Sequence, residues 1–229
     1  MRGVFVTGTD TEIGKTRISC GLLQGLTRAG LRSAGMKPVA SGSEPTPDGL
    51  RNEDALALQR SAGVTLPYDL VNPYAFEPPI APHLAAAEAG RQIELPVLLS
   101  AYDRICQQAE AVVVEGVGGW EVPLSPVLAL PDLARALGLP VIMVVGMRLG
   151  CLNHAQLTAR AILADGLTLL GWVANQAQPE FPSAGENLET LRARLPVPLL
   201  GQVPHLDAAE TDDINGHLAA AVAAIADGG

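Results

Sequence analysis

A glycine-containing segment directly after an apolar strand near the N-terminus constrains the fold of this chain more than any other feature. Residues 4–6 are Val-Phe-Val, and Gly-Thr-Asp-Thr-Glu-Ile-Gly-Lys-Thr follows at positions 8–16. Ile18, Leu22 and Leu26 then recur at the spacing of one helix face. This order predicts a phosphate-binding loop, although five residues separate its two glycines where the standard pattern has four. An anion site is therefore expected where the first helix begins.

The end of this loop carries the residues that contact a bound nucleotide in such motifs. Gly14 lets the backbone curve around phosphate groups, and we expect Lys15 to contact the β and γ phosphates of ATP. The hydroxyl of Thr16 is expected to bind Mg²⁺. The alternative is an ordinary glycine turn between a strand and a helix, which Gly-Lys-Thr in this context disfavours.

Apolar and amphipathic segments alternate along the rest of the chain. Further strands are predicted at residues 33–38, 111–115, 140–146, 167–175 and 199–204. Further helices are predicted at residues 52–62, 95–109, 132–137, 153–165 and 217–226. Loops rich in Pro and Gly are predicted at residues 41–49, 72–82 and 176–185. Uninterrupted apolar strands between helices indicate a mostly parallel sheet covered on both faces, so we predict one doubly wound α/β domain of P-loop NTPase type over residues 1–229.

Composition limits the partners of such a domain. Acidic residues number 24 against 15 basic ones, and the formal charge of −9 argues against nucleic-acid binding. No run approaches the roughly 18 apolar residues of a membrane helix, and the N-terminus lacks the pattern of a secretory signal. Cys20, Cys106 and Cys151 lack the spacing of a zinc site or a disulfide framework. We therefore expect a cytoplasmic protein with small-molecule ligands and no membrane contact.

Lysine occurs at only two positions, 15 and 37, and arginine supplies the remaining basic residues. Lys15 follows a predicted strand and Lys37 lies at the end of another, which indicates sites that need a compact ammonium group instead of a planar guanidinium. Because ligands bind at the carboxyl ends of strands in open α/β sheets, Lys37 is expected to face the phosphate loop. The alternative is a lysine whose stem covers the strand end while its ammonium reaches water.

Two carboxylates are expected at the same edge of the sheet. Glu115 ends an apolar strand and precedes Gly-Val-Gly-Gly, whereas Asp54 lies in the first turn of a predicted helix. Mg²⁺ binds a few protein oxygens and keeps several waters, so Asp54, Glu115 and Thr16 would suffice as its ligands. Asp54 taken alone also fits a charge that stabilises the start of a helix.

Seven segments carry a resemblance to a known family. They are G-T-D-T-E-I-G-K-T at 8–16, K-P-V-A-S-G at 37–42, R-N-E-D-A-L at 51–56, V-N-P-Y at 71–74, V-E-G-V-G-G-W at 114–120, L-G-C-L-N-H-A at 149–155 and G-W-V-A-N at 171–175. Together they closely resemble the dethiobiotin synthetases, over residues 3–206, whereas a generic phosphate-loop ATPase would share only the first segment. The resemblance implies a homodimeric, Mg²⁺- and ATP-dependent ligase that joins CO₂ to 7,8-diaminopelargonic acid and releases ADP and phosphate.

The resemblance also implies roles for individual residues. The expected catalytic residues are Lys37, Lys15 and Thr11. The expected Mg²⁺ ligands are Thr16, Asp54 and Glu115. The expected substrate contacts are Ser41, Gly150, Cys151 and Asn153. The expected nucleotide contacts are Glu12, Ile13, Gly14, Lys15, Thr16, Arg17, Asp54, Glu115, Gly116, Val117, Gly118, Asn175, Gln176, Pro204, His205, Leu206 and Glu210.

One expected contact lies between subunits. Asn153 is predicted to cap the helix at 153–165, whose first N–H groups would bind an anion. In the resembling family this helix start comes from the partner subunit and holds the substrate carboxylate. Packing at the end of a strand would equally account for Gly150 and Asn153.

The sequence leaves base selectivity and two other functions open. Val117 stands where the family usually has alanine and crowds a loop near the phosphate and the substrate, and Asn187 lies where an aromatic residue is expected. The match fades after Leu206, which leaves selectivity for ATP undecided. A related amidoligase acting on a larger acid would be favoured by an attached glutamine-hydrolysing domain, for which we expect no room in this chain. A switch ATPase of the partitioning type carries an extra lysine early in its phosphate loop, and no lysine precedes Lys15 here.

Overall fold

The computed structural model describes residues 2–206 and 214–228. In this part of the chain the strands are β1 Arg2–Gly8, β2 Ser33–Met36, β3 Val39–Ala40, β4 Glu44–Thr46, β5 Gly49–Arg51, β6 Tyr74–Ala75, β7 Ala111–Glu115, β8 Val141–Gly146, β9 Leu169–Asn175 and β10 Leu199–Val203. The helices are α1 Lys15–Arg28, α2 Glu53–Ser61, α3 Tyr68–Val71, α4 Pro82–Glu88, α5 Leu95–Cys106, α6 Leu130–Leu137, α7 Cys151–Ala164, α8 Ala184–Arg194, the 3₁₀ helix Asn215–Leu218 and α9 Ala219–Ala226.

Six strands form one parallel sheet in the order β10-β9-β8-β1-β7-β2. β1 lies between β7 and β8, with Val4 opposite Val113 and Val6 opposite Ile142. β7 in turn separates β1 from β2. Because these neighbours run in the same direction, the carboxyl ends of β1, β7 and β2 lie side by side at one edge of the sheet. That edge carries the phosphate loop, Glu115 and Lys37.

Alternate side chains of β1 belong to cores on opposite faces of the sheet. Val4 and Val6 pack in the core that contains Ile18 and Leu22 of α1, whereas Phe5 packs in the other core. Buried residues of α5, α6 and α7 belong to the core around Phe5. Helices therefore cover both faces, and the prediction of a single doubly wound α/β domain is confirmed. Among residues 2–206 and 214–228, no helix has both the length and the apolar character that crossing a membrane requires.

The predicted strands of the central sheet are confirmed, with small shifts at their ends. The strand at 111–115 has the predicted bounds, whereas the strand predicted at 33–38 ends at Met36. The predicted loops were wrong in part, because the stretch 41–49 enters the antiparallel pair β4 and β5 and the stretch 176–185 reaches into α8. The short strands β4 and β5 pack little apolar surface, so their sequences lack the periodicity that marks the core elements.

Helix α7 begins two residues earlier than predicted. Gly150 occupies the N-cap position with φ +96°, in the left-handed region that favours glycine. Asn153 lies in the first turn, where its N–H donates to the carbonyl of Gly150 at 3.1 Å. The predicted capping role of Asn153 is therefore wrong, and no side chain of residues 2–206 or 214–228 caps this helix.

Candidate active site

The phosphate loop joins β1 to α1 and packs against the ends of neighbouring strands. Gly14 has φ +88°, and a Cβ atom built on it would lie 2.2 Å from Nδ2 of Asn175 at the end of β9. That Nδ2 donates to the carbonyl of Ile13 at 2.7 Å. The side chain of Ile13 is buried against Gly146, the last residue of β8. Glycine at position 14 is thus required both by the backbone angle and by the close approach of Asn175.

Lys15 begins α1 and its side chain crosses the loop. The ammonium donates to the carbonyl oxygen of Asp10 at 2.7 Å, and the residue is buried. Burial and the nearby charge of Lys37 lower the pKa of Lys15 to about 8, although neighbouring carboxylates oppose this shift. A cation held in this way inside the loop is suited to a phosphate group.

The side chains of Lys37, Glu115, Asp54 and Thr16 form a polar cluster where β2 and β7 end, and the first two are buried. The Lys37 ammonium donates to Oδ2 of Asp54 at 2.8 Å, to Oε1 of Glu115 at 2.6 Å and to the carbonyl of Gly116 at 3.3 Å. The hydroxyl of Thr16 donates to the same Oε1 of Glu115 at 2.8 Å. Lys37 is 3% exposed and Glu115 is 0% exposed. Each of the three N–H groups of the ammonium therefore has an acceptor.

The charges in this cluster stabilise one another. Burial by itself would lower the pKa of Lys37, but the charges of Glu115 and Asp54 outweigh it and raise that pKa above its usual value. Burial would raise the pKa of Asp54, and the ammonium of Lys37 lowers it below its usual value instead. Lys37 and Asp54 are therefore both charged at neutral pH, and the carboxylates offset the desolvation of the buried ammonium.

The oxygens of this cluster fit a Mg²⁺ ion. Oε2 of Glu115 is buried and has no hydrogen-bond partner among the described residues, which is a costly state for a carboxylate oxygen. Asp54 is partly exposed, so one of its oxygens can face the cleft while the other holds Lys37. Together with the Thr16 hydroxyl, these groups are the hard oxygen donors that Mg²⁺ prefers.

A cleft of about 850 Å³ adjoins the polar cluster, a volume typical of small-molecule sites. Of the residues predicted from the sequence, those that line it are Thr11, Glu12, Gly14, Lys15, Thr16, Lys37, Ser41, Asp54, Glu115, Val117 and Gly118. The segments 79–81 and 121–123 line it as well. Sequence reasoning missed these segments because, apart from Glu121, their residues are apolar and carry no chemical signal.

Two of the predicted nucleotide contacts lie at a second, smaller cavity. Gln176 and Pro204 line about 50 Å³ beside the ends of β9 and β10. Asn175 precedes Gln176, and its buried Oδ1 has no hydrogen-bond partner among the described residues. A ligand that donates a hydrogen bond would satisfy this oxygen.

Other predicted nucleotide contacts among the described residues do not line the cleft. Nδ1 of His205 lies 3.1 Å from the carbonyl of Ala177, and Leu206 packs on the core beneath α1. Nε and Nη2 of Arg17 are buried and have no partner among the described residues. Glu210 lies outside the described residues.

The predicted substrate contacts at the start of α7 are also absent from the lining of the cleft. Gly150 and Cys151 form the turn into the helix, with Cys151 buried and Asn153 exposed. Large apolar side chains beside them face solvent, since Leu149 is 92% exposed and Leu157 is 55% exposed. Within one chain, the structure therefore does not bring this helix start to the polar cluster.

Sequence reasoning also missed an ion pair that holds the phosphate loop. Arg148, in the loop between β8 and α7, pairs with Oδ2 of Asp10. Oδ1 of Asp10 accepts from the backbone N–H of Thr11 at 2.8 Å. Because the two charges are 138 positions apart, no local pattern indicates the pair.

The parallel sheet, the loop after β1 and the Lys-Thr start of α1 define a phosphate-loop nucleotide-binding protein. Solved structures share this fold at low identity. A chain of the MinC:MinD cell division protein complex of Aquifex aeolicus has a TM-score of 0.60 at 10% identity, with 99% of this chain and 95% of that chain covered. A ParA family ATPase of Chlorobium tepidum has a TM-score of 0.56 at 11% identity, with 96% and 91% covered.

Within the phosphate-loop nucleotide-binding proteins, the sequence is similar to those of one family. The family model described as AAA domain matches residues 2–212. The ATP-dependent dethiobiotin synthetase BioD of Pseudomonas aeruginosa is 56% identical over 219 residues, which are 95% of this chain and 96% of the relative. The ATP-dependent dethiobiotin synthetase BioD 1 of Escherichia coli O157:H7 is 55% identical over 202 residues, which are 88% and 90%. The chain belongs to the ATP-dependent dethiobiotin synthetase family.

Proposed function

We propose that this protein is an ATP- and Mg²⁺-dependent ligase that inserts CO₂ between the two amines of 7,8-diaminopelargonic acid, forming dethiobiotin, ADP and phosphate. Identity above 50% with dethiobiotin synthetases over nearly the whole chain carries the proposal. The site supports it, because a phosphate loop and a second buried lysine share one cleft of about 850 Å³. That volume accommodates the phosphates of ATP together with a small diamine.

The reaction needs a site that stabilises negative charge at every step. One amine captures CO₂ as a carbamate, and an oxygen of this carbamate attacks the γ-phosphorus of ATP while ADP leaves. The second amine then attacks the carbonyl carbon of the carbamic-phosphoric anhydride, and phosphate leaves. Lys15 and Lys37 bring two ammonium groups to the cleft for this charge, and Thr11 and Ser41 on its wall are proposed to contact the diamine or carbamate.

The nucleotide is proposed to bind along the phosphate loop. Backbone N–H groups from Glu12 to Thr16 at the start of α1 would hold its phosphates. Thr16, Asp54 and Glu115 would hold Mg²⁺, which supplies positive charge next to the transferred phosphoryl group. The buried Oδ1 of Asn175 would accept a hydrogen bond from the adenine amino group.

We also propose a homodimer in which the start of α7 binds the substrate carboxylate in the partner's cleft. Gly150, Cys151 and Asn153 lie outside the cleft of their own chain, and no side chain in the described part of the chain caps this helix. The exposed side chains of Leu149 and Leu157 would be covered at a subunit interface. The first N–H groups of α7 would then meet the carboxylate at the far end of the diamine.

Phosphate release from ATP tests the proposed reaction. The purified protein is expected to release phosphate only when the diamine and bicarbonate are both present, because the carbamate is the phosphoryl acceptor. Mass spectrometry should then detect dethiobiotin in amounts equal to the phosphate released. Equal phosphate release with and without the diamine would contradict the ligase and favour a switch ATPase with the same fold.

A neutral analogue of the substrate tests the dimeric site. The amide of diaminopelargonic acid is expected to have a KM at least about tenfold above that of the acid, since a charged hydrogen-bond partner is lost. Asn153→Ala should raise the KM of the acid in the same direction. Dilution below the dimer dissociation constant should abolish turnover, and analytical ultracentrifugation gives that constant. A fully active monomer, or equal KM values for acid and amide, would refute the shared site.

A further inference from the structure

The backbone of Lys37 is held from outside the central sheet. β2 is the outermost strand of the sheet and ends at Met36, so its hydrogen bonding with β7 stops before Lys37. The N–H of Lys37 instead donates to the carbonyl of Val71 at 2.7 Å. Its carbonyl accepts from Nδ2 of Asn72 at 2.7 Å, and the same Nδ2 donates to the carbonyl of Tyr74 at 3.2 Å. Asn72 is 3% exposed, so its hydrogen bond to the main chain of Lys37 lies inside the protein and is shielded from water.

The hydroxyl of Tyr68 fixes Asn72 in turn. It donates to Oδ1 of Asn72 at 2.9 Å and accepts from the backbone N–H of Asn52 at 2.7 Å. The first bond decides which end of the Asn72 amide faces Lys37, because the oxygen is held on the opposite side. The guanidinium of Arg51 lies 4.2 Å from the centre of the Tyr68 ring and holds that ring in place.

The second hydrogen bond of the Tyr68 hydroxyl holds Asn52, which contacts two further segments of the cleft. Oδ1 of Asn52 accepts from the N–H groups of Asp54 at 3.1 Å and Ala55 at 3.3 Å, which caps α2. Nδ2 of Asn52 donates to the carbonyl of Ser41 at 3.3 Å. Asn52 thereby holds the backbone of Asp54, a carboxylate of the polar cluster, and the backbone of Ser41, a predicted substrate contact.

We propose that Tyr68 is a positioning residue for the reaction, because its single hydroxyl sets Lys37 through Asn72 and sets Asp54 and Ser41 through Asn52. The inference rests on the proposed function, in which these three residues act on the substrate and the metal. It also assigns a task to Asn72 of the V-N-P-Y segment and to Asn52 of the R-N-E-D-A-L segment, which have no other role in the proposed reaction.

Removal of the hydroxyl tests this inference. Tyr68→Phe keeps the ring beneath Arg51 and is expected to lower kcat about tenfold, since one well-placed hydrogen bond governs the geometry of several groups. The Kd for ADP measured without Mg²⁺ should stay within about twofold of the original value, because the phosphate loop lies outside the network. A purely structural role would shift the melting temperature without this split between kcat and nucleotide binding.

Tyr74→Phe provides the matched control. The Tyr74 hydroxyl also accepts from a backbone N–H, that of Glu94 at 3.1 Å, and among the described residues it makes no hydrogen bond with Tyr68, Asn72 or Asn52. The carbonyl of Tyr74 does accept from Nδ2 of Asn72, but Tyr74→Phe leaves this backbone group in place. This variant should lose similar stability and keep kcat within about twofold of the unchanged protein. An equal fall in kcat for Tyr68→Phe and Tyr74→Phe would overturn the proposal.

A measurement independent of activity reads the position of Lys37 directly. Lysine occurs only at positions 15 and 37, so protein labelled with nitrogen-15 lysine gives two backbone amide signals, and Lys37→Arg identifies one of them by its loss. Tyr68→Phe should shift the Lys37 signal and leave the Lys15 signal in place. An unmoved Lys37 signal would overturn the proposal. If the unchanged protein made no dethiobiotin, the proposed function would fail while these signals still decided whether Tyr68 sets Lys37.

Discussion

Replacement of Lys37 with arginine is expected to leave the protein folded and to lower turnover at least about a hundredfold, which corresponds to about 2.7 kcal/mol of transition-state stabilisation. The ammonium has three donors and meets three acceptors, on Asp54, Glu115 and the carbonyl of Gly116. A guanidinium has five donors in one plane, so it cannot match this arrangement in a buried space. It would spread the charge that the carbamate and the γ-phosphate need at a single point.

Single-turnover phosphate release with saturating ATP, diamine and bicarbonate measures this effect. Arg192→Lys is the matched control, because Arg192 on α8 is exposed and pairs only with Glu189 in the described part of the chain, at 3.3 Å. Its turnover should remain within about twofold of the unchanged protein. Turnover of Lys37→Arg near that of the unchanged protein, with an intact fold by circular dichroism, would exclude a catalytic role for the ammonium.

Most of the central sheet and its phosphate loop follow from the sequence. Strands such as residues 111–115 are buried on both faces, so an unbroken apolar run marks them with little error at either end. The roles of Gly14 and Lys15 can be predicted equally well from the sequence, because few residue types adopt a left-handed backbone angle or supply a buried ammonium. Local chemistry that permits few alternatives is what a single sequence records well.

Other features depend on contacts between distant segments and have no local signature. The start of α7 was placed at Asn153 on capping preference, whereas Gly150 provides the turn through its backbone angle. Tyr68 and Asn72 gave no chemical signal, because their effect on Lys37 exists only after α3 packs beside β2. The contact of Lys37 with both carboxylates likewise cannot be predicted from the sequence, which indicates that the three residues share an edge of the sheet but gives no distances.

The two carboxylates of the polar cluster are expected to control the Mg²⁺ requirement to different degrees. Glu115→Gln should raise the Mg²⁺ concentration for half-maximal phosphate release at least about tenfold, because a neutral amide is a much weaker ligand for a hard cation. Asp54→Asn should raise it less, since Asp54 is partly exposed and solvent can replace it. Glu115→Gln should also lower the melting temperature, because it leaves the buried ammonium of Lys37 opposite one carboxylate instead of two.

Titration of Mg²⁺ against phosphate release at saturating ATP decides whether these side chains bind the metal. Glu110→Gln is the control, because Glu110 pairs with Arg32 on the surface at 3.4 Å and precedes the same strand. Its titration should match that of the unchanged protein, which separates loss of a ligand from a general loss of negative charge. If Glu115→Gln and Asp54→Asn both left the titration unchanged, the two carboxylates would serve only to hold Lys37, and the metal would have to be bound by other groups in the cleft.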